Sequence, residues 1–543
     1  MWKSLSDIAT LPRGLGSNKA ERSYFAWYEV GLQKNPTRWA PLANGGDYSP
    51  YWRQDLGVAD WQMPNGSLWV EMDGKDGWRL YDQSGYSNYF RKGLSFPKQS
   101  SVFQASILPE GFVPTREGKA ILFNESVDIL ALLAYLNSSP VRSFVRDTCG
   151  LHKQSGAIGK IPIPDFDDNT RNELAAHALA LSRACLMSYQ FDETSRTFLL
   201  PLHGNFQKWD CCQDVDGHIS NVDELCVGLF GLSEEGRSWL DHSASIVNYE
   251  PQPNDVLCWS VGICFGRFDI NLATRARPLP QEPELFGPPS STSPGMLHDG
   301  DAPFHVNPGI LVDDKGHNHD LPHLMETVLE RAKSEVQFDA RAWLRRDFFP
   351  FHLKQYSKSR RKAPIYWPLS TYSGGYTLWV YYPALTDQTL FTSVELVDAK
   401  LEDVSRSAQR LRDMVDRSRD DERTLEALET LTDELRELST ELLRLAPIWK
   451  PNHDDGVQIT AAPLWRLFRF APWQKVLKET WEKLEKGDYD WAHLALSYWP
   501  ERVRAKCKTD KSLAIAHDLE HLFEPAPETA GKAPSKRGRK AKG

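Results

Sequence analysis

The stretch LNSSPVRSFVRDTCGLHKQSGAIGKIPIPDF, residues 136–166, decides how the first part of this chain is organised. Its small residues and Pro140 mark the end of an apolar helix, and VRSFVRDTCG predicts a second helix that packs against the first. Three glycines then interrupt the chain before IPIPDF, which has the composition of a proline-bounded edge strand. The stretch therefore predicts a helical pair and a closing strand at the end of a first domain, 1–166.

Gly159 and Lys160 raise the question of a phosphate-binding loop in this stretch. Such a loop needs a glycine five positions before its second glycine, and Ser or Thr directly after its lysine. Those two positions hold Gln154 and Ile161, so the sequence does not predict a nucleotide site. Two interpretations stay open: the segment borders a nucleic-acid surface to which Lys153 and Lys160 contribute, or it only closes the domain.

The composition describes a folded chain of about two to four domains. The chain has 543 residues, of which 11% are aromatic, and this content is too high for a disordered protein. The sequence has no apolar run long enough for a membrane helix, and residues 1–14 lack the apolar stretch of a signal peptide. We expect a cytoplasmic protein. The eight cysteines show no paired CxxC spacing, which predicts reduced thiols and no structural zinc site.

Basic residues are concentrated in one segment of an otherwise acidic chain. The net charge of −9 argues against a protein that coats nucleic acid, whereas residues 341–362 hold eight Lys or Arg against one acid. DNA phosphates require guanidinium and ammonium donors, so this segment predicts a phosphate-binding patch. A solvated helix face is the alternative. The predicted phosphate contacts are Arg345, Arg346, Lys358, Arg360 and Arg361.

Aromatic and β-branched runs predict strands in the first domain, and longer periodic runs predict helices after it. The strand segments are GSLWVEMD, SSVFQASILP and GKAILFN, and the helical segments are 168–200 and 220–248. Residues 278–308 are rich in Pro, Gly and Ser, which is typical of a long surface loop. We expect an α+β fold in which a mixed α/β first domain is followed by largely helical domains.

Apolar side chains at alternating spacings of three and four residues predict a coiled coil over 394–446. Ser418 and Glu422 interrupt the seam, which favours two antiparallel helices. Because no Gly or Pro lies at the interruption, one continuous helix of about 75 Å is the alternative. The other divisions are a mixed helical domain, 167–393, a Trp-rich helical domain, 447–524, and a disordered basic tail, 525–543.

Two short segments suggest catalysis, but their context favours a structural role. GHNHDLPH resembles a nuclease label, yet Asp320 as a helix N-cap and Pro322 in the first turn explain it more simply. CFGRFD lacks the second glycine of an S-adenosylmethionine loop and predicts a packed turn.

The residues that hold a target amine are also not found in the sequence. An amino-methyltransferase needs Asn, Asp or Ser before a Pro-Pro pair and an aromatic residue after it. The Pro288-Pro289 pair is preceded by Gly287 and followed by Ser290. We therefore predict no catalytic, cofactor-binding or metal-binding residue in this chain.

Ordered blocks across nearly the whole chain resemble one protein family, the adenine-specific DNA methyltransferases of phage defence. These are the BREX-type and DISARM-type methylases and the single-chain type II enzymes. The blocks that resemble the target-recognition region are GLGSNKAERSYFAWYEV, RWAPLANGGDYSPYW, YFRKGLSFP, LLAYLNSSPVRSFV and IGKIPIPDF. Those similar to the C-terminal half are VGICFGRFD, FFPFHLKQYSKSRRKAPIYWPLST, HDDGVQITAAPLW and GDYDWAHLALSYWPERVRAKCKTDKSLAIAH.

The resemblance implies that residues 1–166 form a target-recognition domain that reads double-stranded DNA. It also implies that S-adenosylmethionine and the Asn-Pro-Pro-Tyr box belong to a separate catalytic domain or partner subunit, because the chain starts where that domain would already have ended. Ala26 departs from the family, which commonly has arginine there. The implied DNA-binding residues of this domain are Lys19, Arg22, Arg91, Lys92, Lys98, Lys153 and Lys160.

The expected function is the DNA-recognition and scaffold portion of a defence-system adenine-N6 DNA methyltransferase. Its expected partners are double-stranded DNA, a methyltransferase catalytic subunit and other defence-system proteins. The alternative is a non-enzymatic assembly subunit of a defence complex, whose coiled coil and Trp-rich segment bind proteins.

Overall fold

The computed structural model describes residues 2–16, 20–30, 32, 37–61, 68–71, 78–80, 85–124, 126–201, 214–241, 245–246, 251–358 and 361–524. Within these ranges, many helices are combined with several small sheets, which confirms the predicted α+β class. Lys19, Arg360 and the predicted tail at 525–543 lie outside the described residues.

The strands of the described residues are short. They are β1 (Lys3–Ser4), β2 (Ala9–Thr10), β3 (Tyr24–Ala26), β4 (Trp39–Ala43), β5 (Gly57–Asp60), β6 (Trp69–Glu71), β7 (Trp78–Leu80), β8 (Gly93–Pro97), β9 (Ser106–Leu108), β10 (Val113–Pro114), β11 (Gly118–Phe123), β12 (Pro162–Ile163), β13 (Ile310–Val312), β14 (Ser357–Lys358), β15 (Arg361–Lys362), β16 (Tyr366–Ser370) and β17 (Thr377–Tyr381).

The helices of the described residues are α1 (Leu5–Ile8), α2 (Ala20–Ser23), α3 (Ile129–Leu136), α4 (Ser139–Thr148), α5 (Ser155–Ile158), α6 (Asp168–Ser188), α7 (Val215–Phe230), α8 (Glu234–Ser238), α9 (Pro253–Cys264), α10 (Ile270–Ala273), α11 (Leu321–Arg331), α12 (Ala340–Trp343), α13 (Phe349–Gln355), α14 (Thr389–Arg412), α15 (Arg419–Leu445), α16 (Val457–Ala461), α17 (Ala471–Lys486), α18 (His493–Tyr498), α19 (Pro500–Cys507) and α20 (Lys511–Ala516). The two longest helices of the described residues are α14 and α15.

Two four-stranded sheets organise the first part of the chain. One has the order β2-β11-β8-β9 with antiparallel neighbours, and the other has the order β10-β4-β5-β3. The three segments predicted as strands contain β6, β9 and β11, which confirms them. The final strand β12 pairs with β1, so IPIPDF closes this part of the chain against its beginning, as predicted.

The apolar helix α3 is the centre of this first module, which we define as β1 to α7. Its sequence ILALLAYL is apolar on every side, so the helix is stable only where other elements surround it. Asp128 caps its first turn, and Asn137 at its end both donates to and accepts from the backbone of Ala105 on the sheet. The core around α3 includes α6 and extends to Cys226 on α7, beyond the domain boundary predicted at 166.

The β10-β4-β5-β3 sheet joins the first module to the rest of the chain. Phe25, Trp27, Trp39 and Val58 are buried in one hydrophobic cluster with the sheet β13-β17-β16 and with helices α9 to α20. Burial of these aromatic side chains removes a large apolar area from water at the contact. The first module is therefore packed firmly against the later part of the chain, and the predicted domain divisions stay predictions.

A buried polar network lies where these parts meet. The Tyr356 hydroxyl donates to Glu193 at 2.8 Å, and Arg267 donates to that hydroxyl and to the Glu193 carbonyl. Burial raises the pKa of Glu193 to about 7, while the Arg267 guanidinium acts in the opposite direction. Arg267 belongs to CFGRFD, which is a turn with buried side chains, as predicted.

Helices α14 and α15 form the helical hairpin that the heptads predict. Asp398 accepts from the Ser439 hydroxyl at 2.8 Å, and Arg412 pairs with Glu429 at 2.7 Å. Contacts between the start of one helix and the end of the other require an antiparallel arrangement, so a single continuous helix is excluded.

Ser418 interrupts the heptad pattern because it is the N-cap of α15. Its backbone amide donates to the Asp421 carboxylate, and its hydroxyl accepts from the Asp421 amide. The seam is buried at Val404 and Leu438, among others, whereas Val415 lies in the connection and is 96% exposed. The predicted seam is therefore confirmed except at its end.

Two helix boundaries differ from the prediction. The segment 220–248 contains two helices, α7 and α8, because Gly231 adopts a left-handed φ of 57° that ends α7. The helix predicted over 168–200 ends at Ser188. The loop at 278–308 has no helix or strand within the described range 251–358, as predicted, but the Glu110 amide donates to its Phe286 carbonyl and ties it to the first module.

The absence of membrane-spanning helices and the reduced state of the cysteines were both predicted from the sequence. None of the helices in the described ranges combines the length and apolarity needed to cross a membrane. The described cysteines are unpaired and buried, and they are Cys149, Cys185, Cys226, Cys258, Cys264 and Cys507.

Leu435→Asp should lower the free energy of unfolding by more than about 3 kcal/mol, because it places a charge at a fully buried position of the hairpin seam. The control is Leu443→Asp on the same helix, where the side chain is 50% exposed and the expected change is below about 0.5 kcal/mol. Chemical denaturation of both variants measures the difference, and equal stabilities would show that the seam is not the packed face.

Candidate nucleic-acid interface

Arg361, predicted as a phosphate contact, forms a buried ion pair. It donates from Nε and Nη2 to the two carboxylate oxygens of Glu29 and from Nη1 to the Tyr24 carbonyl, and its guanidinium stacks on Phe25 at 4.4 Å. Glu29 also accepts from the amide of Val457 on α16. We call these contacts the Glu29 junction. The junction joins the first module, the basic segment and the C-terminal helices.

Two further arginines lie along the same contact between the first module and the C-terminal helices. Arg22 donates to Ser512 on α20 at 3.4 Å, and burial lowers the pKa of its guanidinium. Arg38 forms ion pairs with Asp60 and with Asp454, at 2.9 and 2.8 Å. Arg22 thus contributes to a contact within the molecule, and its DNA contact stays a prediction.

The basic segment 341–362 is partly neutralised by acids that lie outside it. Arg341 and Arg345 both pair with Asp313, a carboxylate that is almost fully buried, and Arg341 also pairs with Asp320. Asp320 holds the N-cap position of α11, as predicted, although its carboxylate is directed at Arg341 and at the Asp314 amide. The segment is therefore held by ion pairs on one side, rather than being exposed along its whole length.

Two predicted cations of the same segment do face solvent. Arg346 lies on a π-helical turn, Leu344–Phe348, and donates weakly to the Ala342 carbonyl at 3.5 Å. Lys358 is exposed on the hairpin β14–β15. Of the predicted phosphate contacts that the structure describes, Arg346 and Lys358 are the ones without an ion pair, while Arg345 keeps an exposed edge.

Lysines gather at one edge of the β8–β11 pair, where the opening stretch also lies. Lys98 follows β8 directly, and Lys119 on β11 lies opposite Phe96 of β8. The Lys119 ammonium lies 3.4 Å from the Gln154 and Ser155 side chains, and burial followed by repulsion from Lys98 lowers its pKa. We call Lys98 and Lys119 the cationic edge. Lys160 is exposed just after α5, the helix whose Ser155 contacts Lys119.

Lys153 has a structural part in the cationic edge. It is only 2% exposed, its ammonium donates to the Gly150 carbonyl at 2.7 Å, and burial lowers its pKa. Its backbone amide donates to the Lys98 carbonyl at 2.6 Å, which fixes Lys98 on the strand end. The Lys153 ammonium is therefore surrounded by protein, and its direct contact with DNA stays a prediction.

Arg91 and Lys92 are exposed at the opposite end of β8. Arg91 donates to the Asn88 side chain and to the Phe123 carbonyl, both at 3.3 Å, which orients the guanidinium without neutralising it. The residue before them, Phe90, has a positive φ of 67°, a conformation that costs a bulky residue about 1 to 3 kcal/mol. We call residues 86–92 the aromatic turn.

The sequence analysis did not identify Lys119, and it did not identify the carboxylates that form ion pairs with the predicted phosphate-binding arginines. Lys119 is the one charged residue of an otherwise apolar strand, GKAILF, and this was the available signal. Glu29 and Asp313 give no such signal, because each lies far along the chain from its arginine.

The described residues contain no group of three or more His, Cys, Asp or Glu that could hold a metal ion. His305 and His319 do meet, with 2.8 Å between Nε2 and Nδ1, and burial lowers the pKa of both imidazoles. A neutral pair sharing one hydrogen bond is the arrangement expected of a packed loop.

No protein-family model matches the chain. The chain is similar to a curated protein named adenine-specific methyltransferase PglX from Lacticaseibacillus casei (strain Zhang), with 21% identity over 423 residues. The alignment covers 69% of this chain and 35% of that relative, so the chain spans about a third of the length of the protein it matches. This distant similarity supports the predicted relationship to adenine-specific methyltransferases.

Arg361→Ala should lower the free energy of unfolding by about 3 kcal/mol, because Glu29 would be left charged and unpaired in the protein interior. Adding Glu29→Gln should recover part of this loss, since the neutral amide no longer needs a counter-charge. The control is Lys358→Ala on the paired strand, expected within about 0.5 kcal/mol of the wild type. Denaturant unfolding measures the stability of all three variants. If Arg361→Ala is as stable as the wild type, the ion pair does not stabilise the fold and Arg361 remains a candidate for a phosphate contact.

Proposed function

We propose that this chain is the DNA-recognition and scaffold portion of an adenine-N6 DNA methyltransferase of phage defence. The observation that carries the proposal is the cationic edge, where Lys98 directly follows β8 and Lys119 lies opposite Phe96 of the same strand, so that the two ammonium groups repel each other. One exposed acid, Glu117, pairs with Lys98, so the edge keeps a net positive charge. An anion placed there relieves the repulsion, and a DNA phosphate is such an anion.

The separation of the two cationic sites on the first module fits a duplex. Lys92 and Lys98 bracket β8, and six residues of extended chain span about 20 Å. Successive phosphates on one strand are about 3.4 Å apart along the helix axis, so the two sites span about six base pairs. The cationic edge would hold the backbone, and Arg91 and Lys92 would approach base edges.

The remaining exposed cations would extend the contact beyond the first module. Arg346, Lys358 and the exposed edge of Arg345 are candidates for phosphate contacts that position the duplex without reading its sequence. Arg360, which follows Lys358 in the same basic segment, is proposed for the same role from the sequence alone.

S-adenosylmethionine is proposed to be held by a separate catalytic domain or a partner subunit, with other defence-system proteins as further partners. The support is that the matched relative is named a methyltransferase and is much longer than the aligned region. A phage-defence methyltransferase acts on DNA inside the bacterial cell, so the proposed location is the cytoplasm.

A non-enzymatic assembly role is the second candidate, and one observation favours it. The tip of the helical hairpin exposes Met414 and Val415, and exposed apolar side chains at a helix connection are suited to protein contacts. Such contacts depend little on salt, whereas DNA binding weakens steeply as salt increases.

Lys98→Ala with Lys119→Ala should weaken binding to duplex DNA and reduce the slope of log affinity against log salt by about 0.9 for each lost phosphate contact. The control removes two exposed lysines from α17, Lys475→Ala with Lys486→Ala, and should leave the slope unchanged. Fluorescence anisotropy at several salt concentrations gives both slopes. If the two double variants behave alike, the cationic edge does not bind DNA.

The full chain alone should not transfer methyl groups to DNA, because the proposal assigns the cofactor to another domain or subunit. Incubation with tritium-labelled S-adenosylmethionine and plasmid DNA measures the transfer directly. Incorporation of label by the chain alone would contradict the proposal that another domain or subunit holds the cofactor, whatever the result of the salt titration.

A further inference from the structure

The aromatic turn presents a side chain to solvent on a strained backbone. Phe90 adopts the left-handed conformation that favours glycine, and its side chain is nevertheless 37% exposed. A bulky residue persists in this conformation only where the surrounding structure holds it there. Because the ring is partly exposed, its burial in the core does not fully offset the cost of the strained backbone. The exposed face of the ring therefore suggests a contact with another molecule.

Phe90 is fixed in direction by its neighbours. Its amide donates to the Phe112 carbonyl at 2.9 Å, and its carbonyl accepts from the Gly111 amide at 3.0 Å. Its ring meets the Trp61 ring edge to face, with 5.3 Å between centroids. A side chain held in this way loses little conformational freedom when it meets a flat partner.

The charges beside Phe90 indicate the chemistry of that partner. Arg91 and Lys92 follow it directly, and neither forms an ion pair with any of the residues that the structure describes. A ring followed directly by two cations is complementary to stacked bases bordered by phosphates. A protein surface that buried the ring would leave both cations to be desolvated without a counter-charge.

We infer that Phe90 is a wedge that stacks on the bases of a bound duplex and partly separates one base step. The inference rests on the proposed function, because a duplex that meets the cationic edge must also reach the other end of β8. Arg91 and Lys92 would contact the phosphates on either side of the opened step. The strained backbone then has a function, since it presents the ring to solvent directly before the two cations.

The test uses the full chain, relaxed closed-circular plasmid DNA and a topoisomerase. A side chain that unstacks a base step untwists the duplex, and the topoisomerase converts this change into a shift of the topoisomer distribution. Phe90→Ala removes the ring, and Phe90→Asn removes it with a residue that tolerates a left-handed backbone. The control, Phe391→Ala, removes a ring of 38% exposure from α14. Plasmid affinity and thermal melting are measured separately for each variant.

The wild type and Phe391→Ala should shift the topoisomers. Both Phe90 variants should bind plasmid with an affinity reduced on the order of tenfold and should produce no shift at matched occupancy. A full shift by folded Phe90 variants, or binding of the wild type without any shift, overturns the wedge and leaves the proposed function intact. If the wild type does not bind plasmid at low salt, both the wedge inference and the proposed DNA-binding function are contradicted.

Discussion

The ion pair between Glu29 and Arg361 is the contact on which the arrangement of the molecule depends. Glu29 is almost fully buried, and its two carboxylate oxygens accept from Arg361 while also receiving amides from its own turn and from Val457. A buried carboxylate is stable only when its charge and its lone pairs are satisfied. The first module, the basic segment and the C-terminal helices must therefore stay together for any one of them to be stable in this form.

Several basic residues of the chain contribute to the packing of the protein in the same way as Arg361. Arg22, Arg341 and Arg361 are directed at contacts inside the protein, two of them at carboxylates. Local charge density in the sequence therefore overestimates the cationic surface available to a nucleic acid. What remains exposed is distributed over the two ends of β8 and the solvent side of the basic segment.

The proposed DNA-positioning role depends on this distribution of exposed cations. The surface features are cations at the strand ends and one outward-directed ring. Cations fix the register of a duplex and a ring acts on its base steps, and neither operation requires a reactive group.

The sequence by itself determined the local structure. An all-apolar α3 must be a buried helix, the heptads and the Ser418 cap define an antiparallel hairpin, and Asp320 begins α11, because these signals lie within a few residues of each other. Only the tertiary structure decided which cations remain free. Arg361 meets a carboxylate 332 positions away along the chain, and no local pattern records a partner brought that far by folding. The exposed ring of Phe90 was hidden from sequence reasoning for the same reason, since its strained backbone is held by Phe112 and Gly111 across the fold.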